Sequence, residues 1–437
     1  MMLHGLVLAN FVLCSGLAAS HYARGSPFFV FFLFLNGLVV FPGFREALGT
    51  VVDFHPFATP LFLSRDLFRD AHLLILACLL LFALAEVFAS RPAAWPRPQP
   101  ASPLFLAFPM LVLLLLALMV KLHGRSVFRA LDFVTLRSGT LGFLPLAIQY
   151  LSILSAPLVA LYALQRDLLY AGLVLAVLVL SAFLLGGSRQ ALFLSVLMLV
   201  ILLGRRGWAH FTLLFLFSVL LFPVLDPIFS ALKTMRNLPG LEARLAFVLS
   251  PDPYALMQAT GESTLRYVFY TVVGASAEWG GTGEFSYLRR LGLFWLPSPV
   301  DAFGIKPPDF EAVVFHNIMA GRSGTMHPTY FGMVLADGGR WFALWVLATV
   351  LIFRFFERLA KALRLLPPAY LWALLCYLAT MWARGSFYAP VLVVLSLLIL
   401  APVLLLAWRR LRAGLVGPSP PGPGPRAAGA AVGARRC

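Results

Sequence analysis

The sequence predicts an all-α membrane protein, a polytopic bundle of about eleven transmembrane helices with one long, partly helical outer loop. Hydrophobic residues make up 61% of the 437 residues and charged residues only 12%, whereas soluble domains carry roughly 25% charged residues. The mean hydropathy is +0.89. A chain so poor in charge cannot cover a surface that faces water, so we expect lipid to be its main solvent.

The apolar runs define the individual spans, because about 20 helical residues cross roughly 30 Å of hydrocarbon. The first run has no basic segment before it and is interpreted as a retained span, not a cleaved signal peptide. The run at 190–204 is short, and the run at 329–353 is interrupted by Asp337-Gly338-Gly339-Arg340. The predicted spans are roughly 3–20, 27–44, 71–90, 102–121, 141–164, 168–186, 190–204, 208–229, 329–353, 368–384 and 387–408.

Lysines and arginines in the connections predict the orientation, because cytoplasmic connections are richer in them. With eleven spans, most of these cations fall on one side, which is then cytoplasmic together with the C-terminus. The outer loop, about 230–328, lies between spans eight and nine. The membrane domain covers 1–416, and the Pro-, Gly- and Ala-rich tail at 417–437 is expected to be disordered and cytoplasmic.

Several cations fall on the outer side, against this rule. Either they form an anion site, or they are scattered exceptions to a statistical preference. Arg189 is the most informative, because it follows a tight Gly186-Gly187-Ser188 turn and stands near the start of a span. Its planar fork suits phosphate oxygens, although it could also reach lipid headgroups or pair with Asp226. The other outer cations include Lys121, Arg125, Arg129, Arg137, Lys233, Arg236 and Arg384.

The outer loop is rich in carboxylates and aromatic residues. Aromatic faces beside carboxylates suit carbohydrate, but tyrosines and tryptophans also anchor the membrane interface in most membrane proteins. The densest group of reactive side chains, with Arg322 and His327, stands where the loop returns to the membrane. Because histidine titrates near neutrality, His327 is a candidate base for a sugar hydroxyl.

Two carboxylates stand near the membrane boundary. For Asp226, near the outer end of span eight, a structural ion pair is favoured over a catalytic role. Asp337 lies in the polar interruption of span nine, which marks either a broken helix lining a cavity or residues at the surface. Opposite charges three residues apart, as in Asp337 and Arg340, could neutralise each other.

Several chemistries lack their sequence signals. No nucleotide-binding loop, no zinc-type Cys/His cluster and no Gly-x-Ser-x-Gly elbow occurs, so neither a metal nor a cofactor is predicted. No basic run with interleaved aromatic residues suggests nucleic acid. The net charge of +16 is therefore interpreted as topogenic and lipid-facing.

The pattern resembles the O-antigen polymerases, Wzy-type repeat-unit polymerases that share a membrane superfamily with the O-antigen ligases. It rests on the Gly-Ser-Arg-Gln turn at 187–190, the late outer loop with Leu-Pro-Ser-Pro at 296–299, and the His327-Pro328-Thr329…Asp337-Gly338-Gly339 re-entry. The resemblance covers roughly 130–400. Typical members carry an acidic residue in the re-entry, where Met333 or Val334 stands here.

The resemblance implies a GT-C-like glycosyltransferase, independent of metal, on the periplasmic face of the bacterial inner membrane. Its donor and acceptor would be undecaprenyl-pyrophosphate-linked oligosaccharides, and a chain-length regulator protein is a further candidate partner. His327, Arg189 and Arg236 would be catalytic, with His327 as base or acceptor-positioning group. The residues expected to bind pyrophosphate are Arg137, Arg189, Lys233, Arg236, Arg322 and Arg384.

Two other functions stay open. An O-antigen ligase would perform the same chemistry with lipid A core as acceptor. A lipid-linked oligosaccharide flippase or transporter would favour inverted repeats with paired broken helices, and the sequence shows no such repeat.

Overall fold

The computed structural model describes residues 2–47, 63–89, 95, 103–123, 143–185, 189–204, 207–219, 241–249, 263–275, 285–293, 310–318, 327–362, 367–397, 403 and 410. These residues form helices and turns, with no β-strand among them, which confirms the predicted all-α class. The helices are α1 (Met2–Ala23), α2 (Phe29–Leu35), α3 (Pro42–Glu46), α4 (Arg65–Ala89), α5 (Ala107–His123), α6 (Phe143–Leu164), α7 (Leu168–Leu185), α8 (Arg189–Leu203), α9 (Trp208–Val219), α10 (Leu241–Leu249), α11 (Ser263–Ala275), α12 (Ser286–Gly292), α13 (Phe310–Ile318), α14 (Thr329–Gly338), α15 (Phe342–Ala362), α16 (Pro368–Ala383) and α17 (Tyr388–Leu397).

Several of these helices have membrane-spanning character. Among the described residues, three helices are long and apolar enough to cross a membrane, Met2–Ala23, Arg65–Phe88 and Leu144–Leu164. Large apolar side chains are exposed on the first two, as Leu80, Leu84 and Phe88 are on α4, whereas Leu144–Leu164 is mostly buried. Such exposed rows suit lipid rather than water. Shorter apolar helices accompany them at Phe29–Phe44, Ala107–Leu122, Leu168–Ala182, Gln190–Leu202, Trp208–Val219, Pro368–Ala383 and Tyr388–Leu397.

Contacts between the first helices establish their directions. Asn10 Nδ2 of α1 donates to the carbonyl oxygen of His72 in α4 at 2.9 Å. Further along both helices, His21 Nε2 lies 3.5 Å from Glu86 Oε1. Helices α1 and α4 therefore run in the same direction, and we call the end of the bundle near Glu86 the Glu86 end. Helix α2 runs back from this end, because its Phe32 oxygen accepts from Cys14 Sγ at 3.3 Å.

The predicted single span at 329–353 is a helical hairpin in the structure. Helix α14 ends at Gly338, and Gly339 has a φ of +49°, which glycine adopts without strain. Tyr330 Oη donates to Thr349 Oγ1 at 3.0 Å, and Trp345 Nε1 donates to Asp337 Oδ2 at 2.8 Å. The prediction of one continuous span is therefore wrong. The helix breaks at 337–340, where Asp337 and Gly338 are buried and Arg340 is exposed.

The start of α14 lies inside the bundle and not at its edge. The ring of Tyr330 packs on Phe31 of α2 and Phe82 of α4, with centroids 5.0 and 5.5 Å apart. Phe82 precedes Glu86 by one helical turn, so α14 begins nearer the Glu86 end and runs away from it. The residues just before α14 are thereby placed at depth within the bundle.

Candidate active site

A close backbone contact joins the start of α14 to the turn after α16. Gly385, with a φ of +92°, lies so near Thr329 that a Cβ at this glycine would be 2.5 Å from the Thr329 carbonyl oxygen. No side chain other than hydrogen fits there. The contact brings the His327-Pro328-Thr329 segment and the Arg384-Gly385-Ser386 turn together.

Two predicted site residues stand next to this contact in the chain. His327 stands two residues before Thr329, Arg384 stands directly before Gly385, and both side chains are half-buried. His327 comes from the end of the predicted outer loop, and Arg384 from the end of the predicted span at 368–384. The backbone contact brings the two segments together, which is what the sequence-based hypothesis requires of a base and a cation in one site.

Thr329 itself has a strained backbone. Its φ is +62°, in the left-handed region, and the residue is fully buried. A β-branched residue rarely adopts such a conformation, and strain of this kind persists where the surrounding structure enforces it, often at functional sites. The Gly385 contact and the helix that follows enforce it here.

A loop helix brings a further arginine to the same region. The Phe285 amide, just before α12, donates to the Asp337 carbonyl oxygen at 3.0 Å, which ties α12 to α14. The guanidinium carbon of Arg290 in α12 then lies 5.1 Å from the ring centre of Tyr388, three residues beyond Gly385. We call His327, Thr329, Arg384, Tyr388 and Arg290 the hairpin site. No sequence pattern marks Arg290 as a site residue.

Asp337 lies at the opposite end of α14 from His327. Its side chain is fully buried, and Oδ2 accepts the indole hydrogen bond from Trp345. Its carbonyl oxygen holds α12 through Phe285. The neighbouring Arg340 guanidinium lies over the Trp341 ring, 5.4 Å from its centre. These contacts favour the structural interpretation of Asp337 over an acid–base one.

The remaining predicted site residues are described only in part. Arg189 is the first residue of α8, and its side chain lies outside the described residues. Phe193, one turn into α8, packs on Phe34 of α2 with centroids 5.6 Å apart. Since α2 runs away from the Glu86 end, α8 begins toward the far end of the bundle. The predicted residues that lie outside the described ranges are Arg137, Asp226, Lys233, Arg236 and Arg322.

A first buried polar network, which the sequence analysis missed, holds α11 against the bundle. Arg266 Nε donates to Glu46 Oε1 at 2.9 Å, and Tyr270 Oη donates to Glu46 Oε2 at 2.5 Å. Tyr270 Oη also lies 3.4 Å from His72 Nε2, and Asn10 Nδ2 lies 3.2 Å from His72 Nδ1. Burial raises the pKa of Tyr270 well above its usual value, and the Glu46 carboxylate raises it further, so the phenol stays a donor.

A second missed network lies at the Glu86 end. Arg354 Nη2 donates to both carboxylate oxygens of Glu86 at 2.8 Å, and Arg24 Nη1 donates to Glu86 Oε2 at 2.8 Å. Arg354 Nη1 also donates to Glu357 Oε2 at 2.6 Å, and Ser26 Oγ donates to Glu357 Oε1 at 2.6 Å. Glu86, an acidic residue inside the apolar run at 71–90, was the available signal for this network, because such groups are buried only when they are paired.

Among the described residues, no group of three or more His, Cys, Asp or Glu side chains is placed to hold a metal ion. Comparison of the chain with models of known protein families, with curated proteins and with solved structures finds no match.

Proposed function

We propose that the chain is a membrane glycosyltransferase that polymerises undecaprenyl-pyrophosphate-linked oligosaccharide repeat units, in the manner of an O-antigen polymerase. The observation that carries the proposal is the contact of Gly385 with Thr329, which brings together the two segments that carry Arg384 and His327. Glycosyl transfer from a lipid pyrophosphate needs a base that accepts the proton of the acceptor hydroxyl and cations that balance the charge of the leaving pyrophosphate.

The proposed topology has eleven spans in a GT-C-like arrangement in the bacterial inner membrane. Arg24 and Arg354 share the Glu86 carboxylate, so these two predicted cytoplasmic cations lie at one end of the bundle. The loop helix α11 reaches Glu46, and α12 reaches Asp337, at the end away from Glu86. We therefore assign the Glu86 end and the C-terminus to the cytoplasm, and the loop helices to the periplasm.

The proposed reaction forms one glycosidic bond and breaks one bond to phosphate. A hydroxyl oxygen of the acceptor attacks the anomeric carbon of the donor, and its proton passes to His327. The bond between that carbon and the pyrophosphate oxygen breaks, and undecaprenyl pyrophosphate leaves with the electron pair. Arg384 and Arg290 balance the charge that develops on the leaving group. Arg189, which begins α8 toward the other end of the bundle, and Arg236 stay sequence-based candidates for binding the lipid pyrophosphate.

The direct test incubates the purified protein with a synthetic lipid-linked repeat unit, without nucleotide sugar or added metal. A ladder of polymer lengths is expected on a gel. Transfer to lipid A core without a ladder would instead indicate a ligase. Movement of the lipid-linked unit across a vesicle membrane without any new glycosidic bond would indicate a flippase and overturn the proposal.

Variants of the proposed residues connect the reaction to this site. We expect His327→Ala, Arg384→Ala and Arg189→Ala each to reduce the rate of ladder formation by about a hundredfold or more. The matched control is Arg69→Ala, because the Arg69 side chain is 41% exposed and pairs with exposed acids on α4. Normal polymer lengths from Arg189→Ala would remove that residue from the reaction.

A further inference from the structure

The first helical turn of α14 combines unused donors with nearby cations. We propose that this helix start is a binding site for one phosphoryl oxyanion, with the Thr329 hydroxyl and the Trp382 indole as neutral donors. The inference rests on the proposed function, because the phosphoryl group would be that of the lipid pyrophosphate. These two donors carry no charge, and no sequence pattern marks them.

Two buried polar side chains lack partners here. Thr329 is fully buried, and its Oγ1 has no hydrogen-bond partner among the described residues. The same holds for Nε1 of Trp382, which is also fully buried within the described part of the chain. A buried donor without a partner costs about 1–3 kcal/mol, so such groups ordinarily serve a ligand or water.

Trp382 is tied to the turn that contacts Thr329. It precedes Gly385 by three residues, and the Gly385 amide donates to its carbonyl oxygen at 2.9 Å. Its ring stacks on Phe387, with centroids 4.8 Å apart, and Phe387 packs on Tyr330, with centroids 5.8 Å apart. Tyr330 directly follows Thr329, so the Trp382 ring belongs to the aromatic cluster that packs against the first turn of α14.

The helix start adds donors of its own. Helix α14 has 10 residues, and its N-cap Pro328 makes no side-chain capping bond. The first amides of a helix have no partner within the helix, and they carry the positive end of its dipole. Amides, a hydroxyl, an indole and the nearby Arg384 together offer donors and positive charge. A group with several acceptor oxygens and negative charge fits this set, and a phosphoryl group is such a group.

Binding can be measured separately from turnover. The full chain in phosphatidylcholine nanodiscs is titrated with inorganic pyrophosphate and with farnesyl pyrophosphate, and the Trp382 indole resonance is followed by NMR after assignment with Trp382→Phe. We expect this resonance to shift on binding. Thr329→Val and Trp382→Phe should each weaken calorimetric binding by about tenfold, the usual effect of losing one hydrogen bond to a charged group. Thr329→Ser should restore wild-type binding, because it keeps the hydroxyl.

Matched controls separate lost donors from lost stability. Thr380→Val and Trp372→Phe remove donors that are already bonded, to the carbonyl oxygens of Cys376 and Gly25. Both should bind pyrophosphate as the wild type does, with thermal stability measured alongside. Wild-type binding by Thr329→Val and Trp382→Phe would overturn the proposal.

The remaining outcomes distinguish the sources of the phosphoryl group. A Trp382 shift in phosphatidylglycerol nanodiscs, without added pyrophosphate, would support the oxyanion site with a lipid headgroup as its ligand. No shift with any probe would mean that the orphan donors bind only water, and would overturn the site. Pyrophosphate binding without ladder formation would keep the site and overturn the polymerase. A polymer ladder formed by Thr329→Val at the wild-type rate would overturn the oxyanion site and leave the proposed polymerase function standing.

Discussion

Arg354 binds both carboxylate oxygens of Glu86, 268 residues away in the chain, at 2.8 Å each. The pair joins α15 to α4 at a point where both side chains are largely buried. Arg24, in the turn directly after α1, shares the same carboxylate. One acidic residue therefore holds three helices that begin far apart in the sequence.

Removing the charge of Glu86 should destabilise the whole bundle. In Glu86→Gln, Arg24 loses this counter-charge and Arg354 keeps only that of Glu357. Breaking a buried ion pair typically costs roughly 3–5 kcal/mol. We expect a large fall in the melting temperature of the detergent-solubilised protein, measured by fluorescence-detected size exclusion.

The control for Glu86→Gln is Asp66→Asn, which breaks an ion pair with Arg69 on the same helix α4. That pair is exposed, with side chains 80% and 41% accessible. Exposed pairs contribute about 0–1 kcal/mol, so little change in melting temperature is expected. Equal melting temperatures for the two variants would show that Glu86 does not hold the helices together.

The Glu46 network predicts a local effect on α11. Tyr270→Phe removes the donor to Glu46 Oε2, and a hydrogen bond to a charged group contributes about 1.5–3 kcal/mol. We expect faster hydrogen exchange over 263–275, measured by mass spectrometry, with little change in α1. The control is Thr271→Val, whose hydroxyl donates only within α11 to the Tyr267 carbonyl oxygen. Unchanged exchange in Tyr270→Phe would mean that packing alone holds this helix.

The helix boundaries show how far sequence patterns reach. Helices α1 and α7 (Leu168–Leu185) end within a few residues of the predicted spans, because their apolar runs stop sharply. Helix α4 begins at Arg65, six residues before its predicted span, because its first turns carry charge. A hydropathy pattern detects the apolar part of a helix, and it misses polar turns that extend the same helix.

The hairpin of α14 and α15 could not be predicted from the sequence, for a different reason. The run at 329–353 has the length of one span, and only Asp337-Gly338-Gly339-Arg340 signals a break. Whether such a break turns the chain back depends on packing partners, here Phe31 and Phe82 against Tyr330. His327 and Arg384 were candidates from the sequence, but no sequence pattern could show that the segments carrying them are in contact.

Asp337 offers a test of structural against chemical roles. Asp337→Asn keeps an oxygen that can accept the indole hydrogen bond of Trp345. If the role is structural, ladder formation should stay within about threefold of the wild type. Loss of general acid–base catalysis would instead reduce the rate by about 10²–10⁴. Asp337→Leu, which cannot accept that bond, should lower both thermal stability and activity.

Gly385→Ala tests the contact on which the site depends. The new Cβ would lie 2.5 Å from the Thr329 carbonyl oxygen, and the φ of +92° is strained for alanine. The strain alone costs of order 1–3 kcal/mol, and relieving the overlap must move α14 away from the turn after α16. His327 and Arg384 should then separate, so we expect ladder formation to fall by at least tenfold. The matched control is Gly172→Ala on α7, where nothing lies within 4 Å and alanine favours the helix by about 1 kcal/mol. If Gly385→Ala polymerised at the wild-type rate, the reaction would not depend on this contact, and the active site would have to be sought elsewhere in the chain.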